Sequence, residues 1–202
     1  ARRWLILAST VLSFFAVGVT FFAVPPLVPE LVARFALSHL AIGVLMGAIS
    51  VPAVLASIPL GAAVDRWPAR ATGNAGLGLM LAGALLFAVA PGYAALVVGR
   101  LLFGVGGLVV NLLLARLVST AFAGRELALA MGIFNAVYPA SMIVMFSLHP
   151  RLQALLGWRG ELLALAAVVV VAVPLHNLAV PRRLAGDGGA ADHAAGPRIS
   201  AP

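Results

Sequence analysis

The sequence has 202 residues, of which 63% are hydrophobic and only 9% are charged, and its formal net charge is +7. Soluble domains usually carry about a quarter of their residues as charged side chains, so this composition excludes an ordinary soluble domain and indicates a protein solvated by lipid. All 13 cationic residues are arginines scattered between apolar blocks, which does not fit the clustered cations of a nucleic-acid-binding protein.

Breaks in the apolar pattern divide the chain into six stretches, each long enough to cross a hydrocarbon core about 30 Å thick. In chain order, the predicted spans are residues 4–24, 39–61, 72–90, 94–118, 127–148 and 160–180. Prolines, glycines or charges separate the spans, and period-two alternation, which would indicate a transmembrane barrel, is missing. The sequence therefore predicts an all-α polytopic membrane protein in which residues 1–183 form one six-helix bundle.

The two ends of the chain have their own signals. The first apolar stretch is longer than the roughly 7 to 15 residues of a signal-peptide core, so we interpret it as a membrane span. Residues 184–202 contain few large apolar side chains and are predicted to be a flexible cytoplasmic linker. Because the chain opens on Ala1 rather than Met and closes on this tail, we expect it to be part of a longer protein.

The arginines predict the orientation of the bundle, because cytoplasmic segments carry an excess of positive residues. With the N-terminus inside, eight arginines fall on inner segments and three on outer ones. The inner set is Arg2, Arg3, Arg66, Arg70, Arg116, Arg125, Arg182 and Arg183, and the outer set is Arg34, Arg151 and Arg159, while the distant Arg198 is left out. We expect both termini in the cytoplasm, a bacterial plasma (inner) membrane as the location, and lipid headgroups as partners of these arginines.

The loop after the second span reads Gly61-Ala-Ala-Val-Asp65-Arg66-Trp-Pro68-Ala-Arg70. It resembles the loop signature of the major facilitator superfamily, in which a glycine precedes an acid and several basic positions. Gly61, Asp65, Arg66 and Arg70 match that signature, whereas Pro68 and the alanine after it depart from it.

The side chains of this loop also indicate a function independently of the resemblance. Gly61 would let a neighbouring helix approach closely, and Asp65 would accept hydrogen bonds from arginines or from a helix N-terminus. The resemblance implies a cytoplasmic gate that is closed in the outward-open state. The alternative is an ordinary charged turn between two helices.

The fourth span opens with Gly99-Arg100-Leu-Leu-Phe-Gly104-Val-Gly106-Gly107, which resembles the fourth-helix signature of the same superfamily. An unpaired cation inside an apolar run costs several kcal/mol, so Arg100 needs water, a carbonyl or a carboxylate, or else must extend to the outer interface. The glycines, Gly104 among them, are predicted to allow close helix packing.

Two shorter segments extend the resemblance over residues 2–183. Residues 122–132 resemble the loop before the superfamily's fifth helix, and Gly157-Trp158-Arg159 resembles the turn before its sixth. The Gly-Pro pair of many exporters is reduced here to Gly132 and Pro139, which disfavours a drug–proton antiporter and leaves uptake or anion exchange open. The resemblance implies a 3+3 helix repeat forming half of a 12-helix transporter.

Four polar residues within the spans are candidates for a substrate cavity, because polar side chains at membrane depth usually face the interior of a bundle. They are Thr20, Asn111, Asn135 and Tyr138. No carboxylate falls in the middle of a span, so coupling residues would lie in a second half, or transport would follow the substrate gradient or exchange. Arg100 near the pathway favours an anionic substrate, organic or inorganic.

The leading hypothesis is a secondary transporter of a small solute that works by alternating access, with a possible coupling ion and a second six-helix half from the same gene or from a homodimer. Cysteine is absent and the four histidines are far apart, so no cofactor or metal is predicted. One alternative is a six-helix membrane enzyme, although His149 is the only histidine near a serine and no buried acid is expected to orient it. The other is a non-transporting scaffold or a channel subunit.

Overall fold

A computed structural model describes residues 2–180, and every regular element in that range is helical. The helices are α1 (Arg2–Phe21), α2 (Val28–Phe35), α3 (His39–Ala48), α4 (Val51–Arg66), α5 (Ala69–Ala88), α6 (Tyr93–Ala121) and α7 (Gly124–Ala179), with a short 3-10 turn at Pro25–Leu27. The predicted linker at 184–202, together with Arg182, Arg183 and Arg198, lies outside the described residues. The prediction of an all-helical membrane protein is confirmed.

Five helical stretches of the described chain are long and apolar enough to cross a membrane, with mean hydropathies between 1.5 and 2.2. They are Arg3–Phe35, His39–Arg66, Ala69–Ala88, Tyr93–Ala121 and Gly124–Leu178. The first four correspond to the first four predicted spans. The last contains both the fifth and the sixth predicted spans, because α7 continues through the segment predicted to separate them.

The long helix α7 contains one residue with a non-helical backbone, Gly157, at φ 66° and ψ 174°. This conformation is essentially restricted to glycine, because a Cβ atom would clash with the backbone there. Residues on the two sides of Gly157 contact each other, as the pair His149 and Glu161 shows. The chain therefore turns back at Gly157, and its segments 124–156 and 158–179 lie side by side.

Glycines bring α5 and α6 into close contact. A Cβ atom added to Gly83 would lie 2.6 Å from the carbonyl oxygen of Gly99, and one added to Gly99 would lie 2.8 Å from the carbonyl oxygen of Gly83. A similar contact joins Gly76 and Gly106. Small residues allow helix backbones to approach in lipid, where packing rather than a hydrophobic driving force holds helices together.

The helices α1 and α7 pack through aromatic rings, with the ring centroids of Phe14 and Phe134 4.5 Å apart. At the Asp65 end of the bundle, Arg3 pairs with Glu126 and the rings of Trp4 and Phe122 meet edge to face. These contacts place α1, α6 and α7 around a common space, which contains the candidate site.

Candidate functional site

A cavity of about 500 Å³ lies where α1, α6, α7 and the junction of α3 and α4 meet. The regular helix is interrupted at Ile49 and Ser50, although the backbone angles of both residues stay in the right-handed helical region. Both residues line the cavity. The complete lining is Phe14, Val17, Phe21, Ile49, Ser50, Ala53, Phe103, Gly104, Gly107, Leu108, Asn111, Asn135, Tyr138 and Pro139.

The lining combines aromatic walls with a few neutral polar groups. Phe14, Phe21, Phe103 and Tyr138 supply the rings, and the centroids of Phe21 and Tyr138 are 5.3 Å apart. Hydroxyl or amide groups come from Ser50, Asn111, Asn135 and Tyr138, and none of the lining residues carries a formal charge. A concave apolar surface with several converging polar groups is the usual form of a small-molecule site.

The structure brings three of the four predicted cavity residues together. Asn111, Asn135 and Tyr138 line the large cavity, and the side-chain amide of Asn135 donates a hydrogen bond to the carbonyl of Met131 at 2.9 Å. Thr20 does not line this cavity, and its buried hydroxyl donates a hydrogen bond to the carbonyl of Ala16 at 3.0 Å. Sequence reasoning missed Phe14, Phe21 and Phe103, since an apolar residue in a span gives no signal of facing a cavity rather than lipid. It also missed Ser50, although a hydroxyl inside a predicted span was a usable signal.

Arg100 is buried in the bundle, with only 4% of its surface exposed. It lines a small separate cavity of about 20 Å³ together with Thr20, Phe103 and Leu162. Its Nε atom is buried and has no hydrogen-bond partner in the described part of the chain. The interpretation that Arg100 extends to the membrane surface is wrong, because the neighbouring helices enclose the side chain. Phe103 lines both cavities, so Arg100 is separated from the large cavity by this side chain.

Gly104 holds α6 against the junction of α3 and α4. A Cβ atom at Gly104 would collide with the carbonyl oxygen of Ile49, so the predicted close packing at Gly104 is confirmed. Gly107, in contrast, lines the large cavity, and no other part of the described chain lies within 4 Å of its Cβ position. The glycines of this motif thus serve both packing and cavity shape.

The predicted gate motif lies across the turn from α4 to α5. The Oδ1 atom of Asp65 is 3.7 Å from Nε of Arg116 on α6, and Nη1 of Arg116 donates a hydrogen bond to the carbonyl of Val64 at 2.8 Å. Arg116 was not among the predicted gate residues, although its place at the inner end of the fourth predicted span was a usable signal. Asp65 is thus joined to an arginine, as its chemistry suggested.

The other three motif residues are separate from that ion pair. Nε of Arg70 donates a hydrogen bond to the carbonyl of Val180 at 2.5 Å, and Arg66 is exposed. Nothing in the described chain lies within 4 Å of a Cβ position on Gly61. The expectation of close helix packing at Gly61 is therefore not met among residues 2–180.

A buried acid–histidine pair lies at the turn in α7. Nδ1 of His149 is 2.9 Å from Oε1 of Glu161, and the Glu161 side chain is fully buried. The expectation that no buried acid orients His149 is wrong, because the chain reversal at Gly157 brings the two residues together. Their near-symmetric positions around the predicted turn were the available signal. His176 is also buried. Residues 2–180 contain no cluster of three or more potential metal ligands.

Comparisons with known proteins agree with this architecture. The family model described as Major Facilitator Superfamily matches residues 8–200. No curated protein matches the chain. Among solved structures, the chain is similar to a bacterial homolog of the human lysosomal transporter Spinster, crystallised in an inward-facing and unoccupied conformation, with a TM-score of 0.84 and 13% sequence identity. The match covers 91% of this chain and 44% of the other, so the chain spans less than half the length of that transporter homolog.

Proposed function

The chain belongs to the major facilitator superfamily, and we propose that it forms one six-helix half of a secondary transporter that moves a small solute by alternating access. Membership makes it an integral membrane protein of a transporter family rather than a membrane enzyme. The cavity of about 500 Å³ between α1, α6, α7 and the α3–α4 junction is the observation that carries the proposal. In such transporters the substrate lies near the bilayer midplane between two repeats.

We infer six membrane crossings from the turn at Gly157. The five apolar stretches include one of 55 residues, which is far longer than the roughly 20 residues of a single crossing. The pair of His149 and Glu161 joins segments 124–156 and 158–179, and residues of both segments line one cavity. Both observations support two crossings within α7. Three crossings on each side of the α5–α6 connection then make up the 3+3 repeat.

The orientation we propose has the Asp65 end of the bundle in the cytoplasm. Arg3, Arg66, Arg70, Arg116 and Arg125 belong to that end, and three of them have partners there: Glu126 for Arg3, Val180 for Arg70 and Asp65 for Arg116. The opposite end carries Arg34, Arg151 and Arg159, and the guanidinium groups of Arg34 and Arg159 lie over the ring of Trp158. This excess of arginines supports cytoplasmic termini. We propose a bacterial plasma (inner) membrane as the location.

A second six-helix half, from the same polypeptide or from a second copy, would supply the opposite wall of the cavity. The coverage of 44% of the transporter homolog supports this arrangement. So does the exposure of α3 and α4, where Leu40, Val54 and Ile58 are 78%, 79% and 85% exposed. We propose that these surfaces face lipid or the second half.

For the substrate we propose a small organic anion with an apolar body. Aromatic rings and neutral amides would contact the body, and the buried guanidinium of Arg100 would make the electrostatic potential beside the cavity more positive. The Asp65–Arg116 pair at the cytoplasmic end would act as the gate that the motif implies.

The test is flux of a labelled aromatic carboxylate through the full-length protein in proteoliposomes, with the unlabelled carboxylate, its amide analogue and its amine analogue as competitors. Saturable uptake or exchange that the carboxylate inhibits more strongly than the amide or the amine supports the proposal. Unsaturable flux would identify a channel subunit, and equal inhibition by all three competitors would exclude selection for an anion.

A further inference from the structure

His149 and Glu161 form a polar pair inside the bundle, joined across the turn at Gly157. Nδ1 of His149 lies 2.9 Å from Oε1 of Glu161, and the two side chains are 12% and 0% exposed. The second carboxyl oxygen of Glu161, Oε2, is buried and has no hydrogen-bond partner in the described part of the chain. The imidazole is therefore the only described group that can balance a charge on this carboxyl.

The number of protons on the pair decides whether it is electrically neutral. With one shared proton the pair is neutral overall, whether the proton sits on the imidazole or on the carboxyl. Without a proton the pair leaves a bare carboxylate, and with two it leaves an imidazolium without a counterion. Either net charge is costly in a buried site, because few dipoles replace the lost water.

The remaining charged groups on the neighbouring helices have other contacts or lie apart. On α2, the guanidinium of Arg34 lies over the Trp158 ring, as does that of Arg159 on α7. The other candidates are Glu30 on α2, Arg151 on α7, and Arg100, which lines the small cavity with Leu162. None of them forms a described ion pair or hydrogen bond with Glu161.

The facing elements at greater distance are also accounted for. The one charged side chain described on α1, that of Arg3, pairs with Glu126, and Arg70 on α5 donates to Val180. The hydroxyl of Tyr93 on α6 donates to the carbonyl of Ala41.

We propose that His149 and Glu161 form a buried binding site for a single proton, and that this proton holds the two segments of α7 together at the Gly157 turn. The site is separate from the substrate cavity, since neither residue lines it. Loss of the proton or gain of a second one would weaken the turn and loosen the packing of residues 158–179 against α1.

The test is thermal unfolding of the full-length protein in detergent between about pH 4 and pH 10. The wild type should unfold at the highest temperature at intermediate pH, with a decrease of several degrees on both sides. The variant Glu161→Gln should lose the decrease on the alkaline side, because no carboxylate can form. The double variant His149→Gln/Glu161→Gln should lose both. An unchanged profile in the double variant would overturn the proposal.

A matched control is Glu126→Gln. Glu126 is also on α7, but it forms an exposed ion pair with Arg3 of α1. This control should keep the wild-type pH profile, and a flattened profile in it would assign the effect to glutamate loss in general.

Should the variants fail to fold, hydrogen exchange of the wild-type protein provides a second test. After correction for intrinsic rates, residues 142–166 should then lose more protection from exchange than α5 does when the pH is moved from the intermediate range to either extreme. Equal protection at all pH values would also overturn the proposal. Neither measurement depends on transport.

Discussion

The carboxylate of Asp65 at the end of α4 lies 3.7 Å from the guanidinium of Arg116 on α6, and thereby links two helices at one end of the bundle. Asp65 is 71% exposed while Arg116 is only 16% exposed. Exposed ion pairs contribute little to stability, so the contact is better suited to bias one conformation over another than to hold the fold together.

We expect Asp65→Asn to reach the membrane and to unfold at the wild-type temperature, yet to transport more slowly. The decrease should be on the order of tenfold, which corresponds to a shift of about 1.4 kcal/mol between two conformations. Uptake in proteoliposomes and thermal unfolding measure the two effects. The control is Glu126→Gln, which breaks another exposed pair at the same end. Full transport by Asp65→Asn would contradict the gate.

Replacement of Arg100 should separate stability from transport. Because its Nε atom is buried without a described partner, Arg100→Met is expected to stabilise the protein by about 1–3 kcal/mol. The same variant should transport an organic anion poorly, since the cation beside the cavity is gone. Thermal unfolding and uptake test the two parts, and a variant that is less stable yet transports normally would contradict both.

The amides of Asn111 and Asn135 line the cavity, so Asn→Ala changes at these positions should weaken substrate binding. Each hydrogen bond contributes about 0.5–1.5 kcal/mol, which predicts a KM raised by roughly 2- to 10-fold. Initial rates of uptake over a range of substrate concentrations measure this. Asn74→Ala is the matched control, because Asn74 bonds the side chain of Asn177 outside the cavity. A KM that rises equally in all three variants would argue against contact with substrate.

Gly104→Ala should destabilise the contact between α6 and the α3–α4 junction, because its methyl group would collide with the Ile49 carbonyl. Overpacking of this kind costs about 1–3 kcal/mol. Gly78→Ala on α5 provides the control, since no neighbouring element within residues 2–180 lies within 4 Å of its Cβ position. Comparison of the two unfolding temperatures checks the prediction, and equal temperatures would show that the junction adjusts to the methyl group.

Gly157→Ala should destabilise the turn in α7 by about 1–3 kcal/mol, the usual cost of a side chain at such a backbone conformation. Apart from the neighbours of Gly157 in the chain, nothing among residues 2–180 lies within 4 Å of the Cβ position, so the cost would come from the backbone conformation of this residue rather than from contact with another helix. Gly132→Ala, in a regular part of α7, should instead be neutral or stabilising. Chemical or thermal unfolding of both variants would show opposite signs, and a stabilised Gly157→Ala would argue against the turn.

Sequence alone determined the helical class, the lipid environment and the position of most helices, because apolar stretches of about 20 residues have few alternatives in a membrane. It also predicted that Asn111, Asn135 and Tyr138 would face a cavity, since isolated polar groups stand out against an apolar background. The family motifs around Asp65 and Arg100 could be recognised for the same reason, and the family match over residues 8–200 agrees with them.

Only the tertiary structure decided which residues share a space. Thr20 and Asn111 look equivalent in the sequence, yet Thr20 lies beside Arg100 while Asn111 lines the large cavity. The pairing of His149 with Glu161 and of Asp65 with Arg116 depends on helix rotation and on the backbone angles of Gly157. Hydrophobic patterning cannot fix these, because in lipid an apolar residue is equally suited to the outside of a bundle and to its interior.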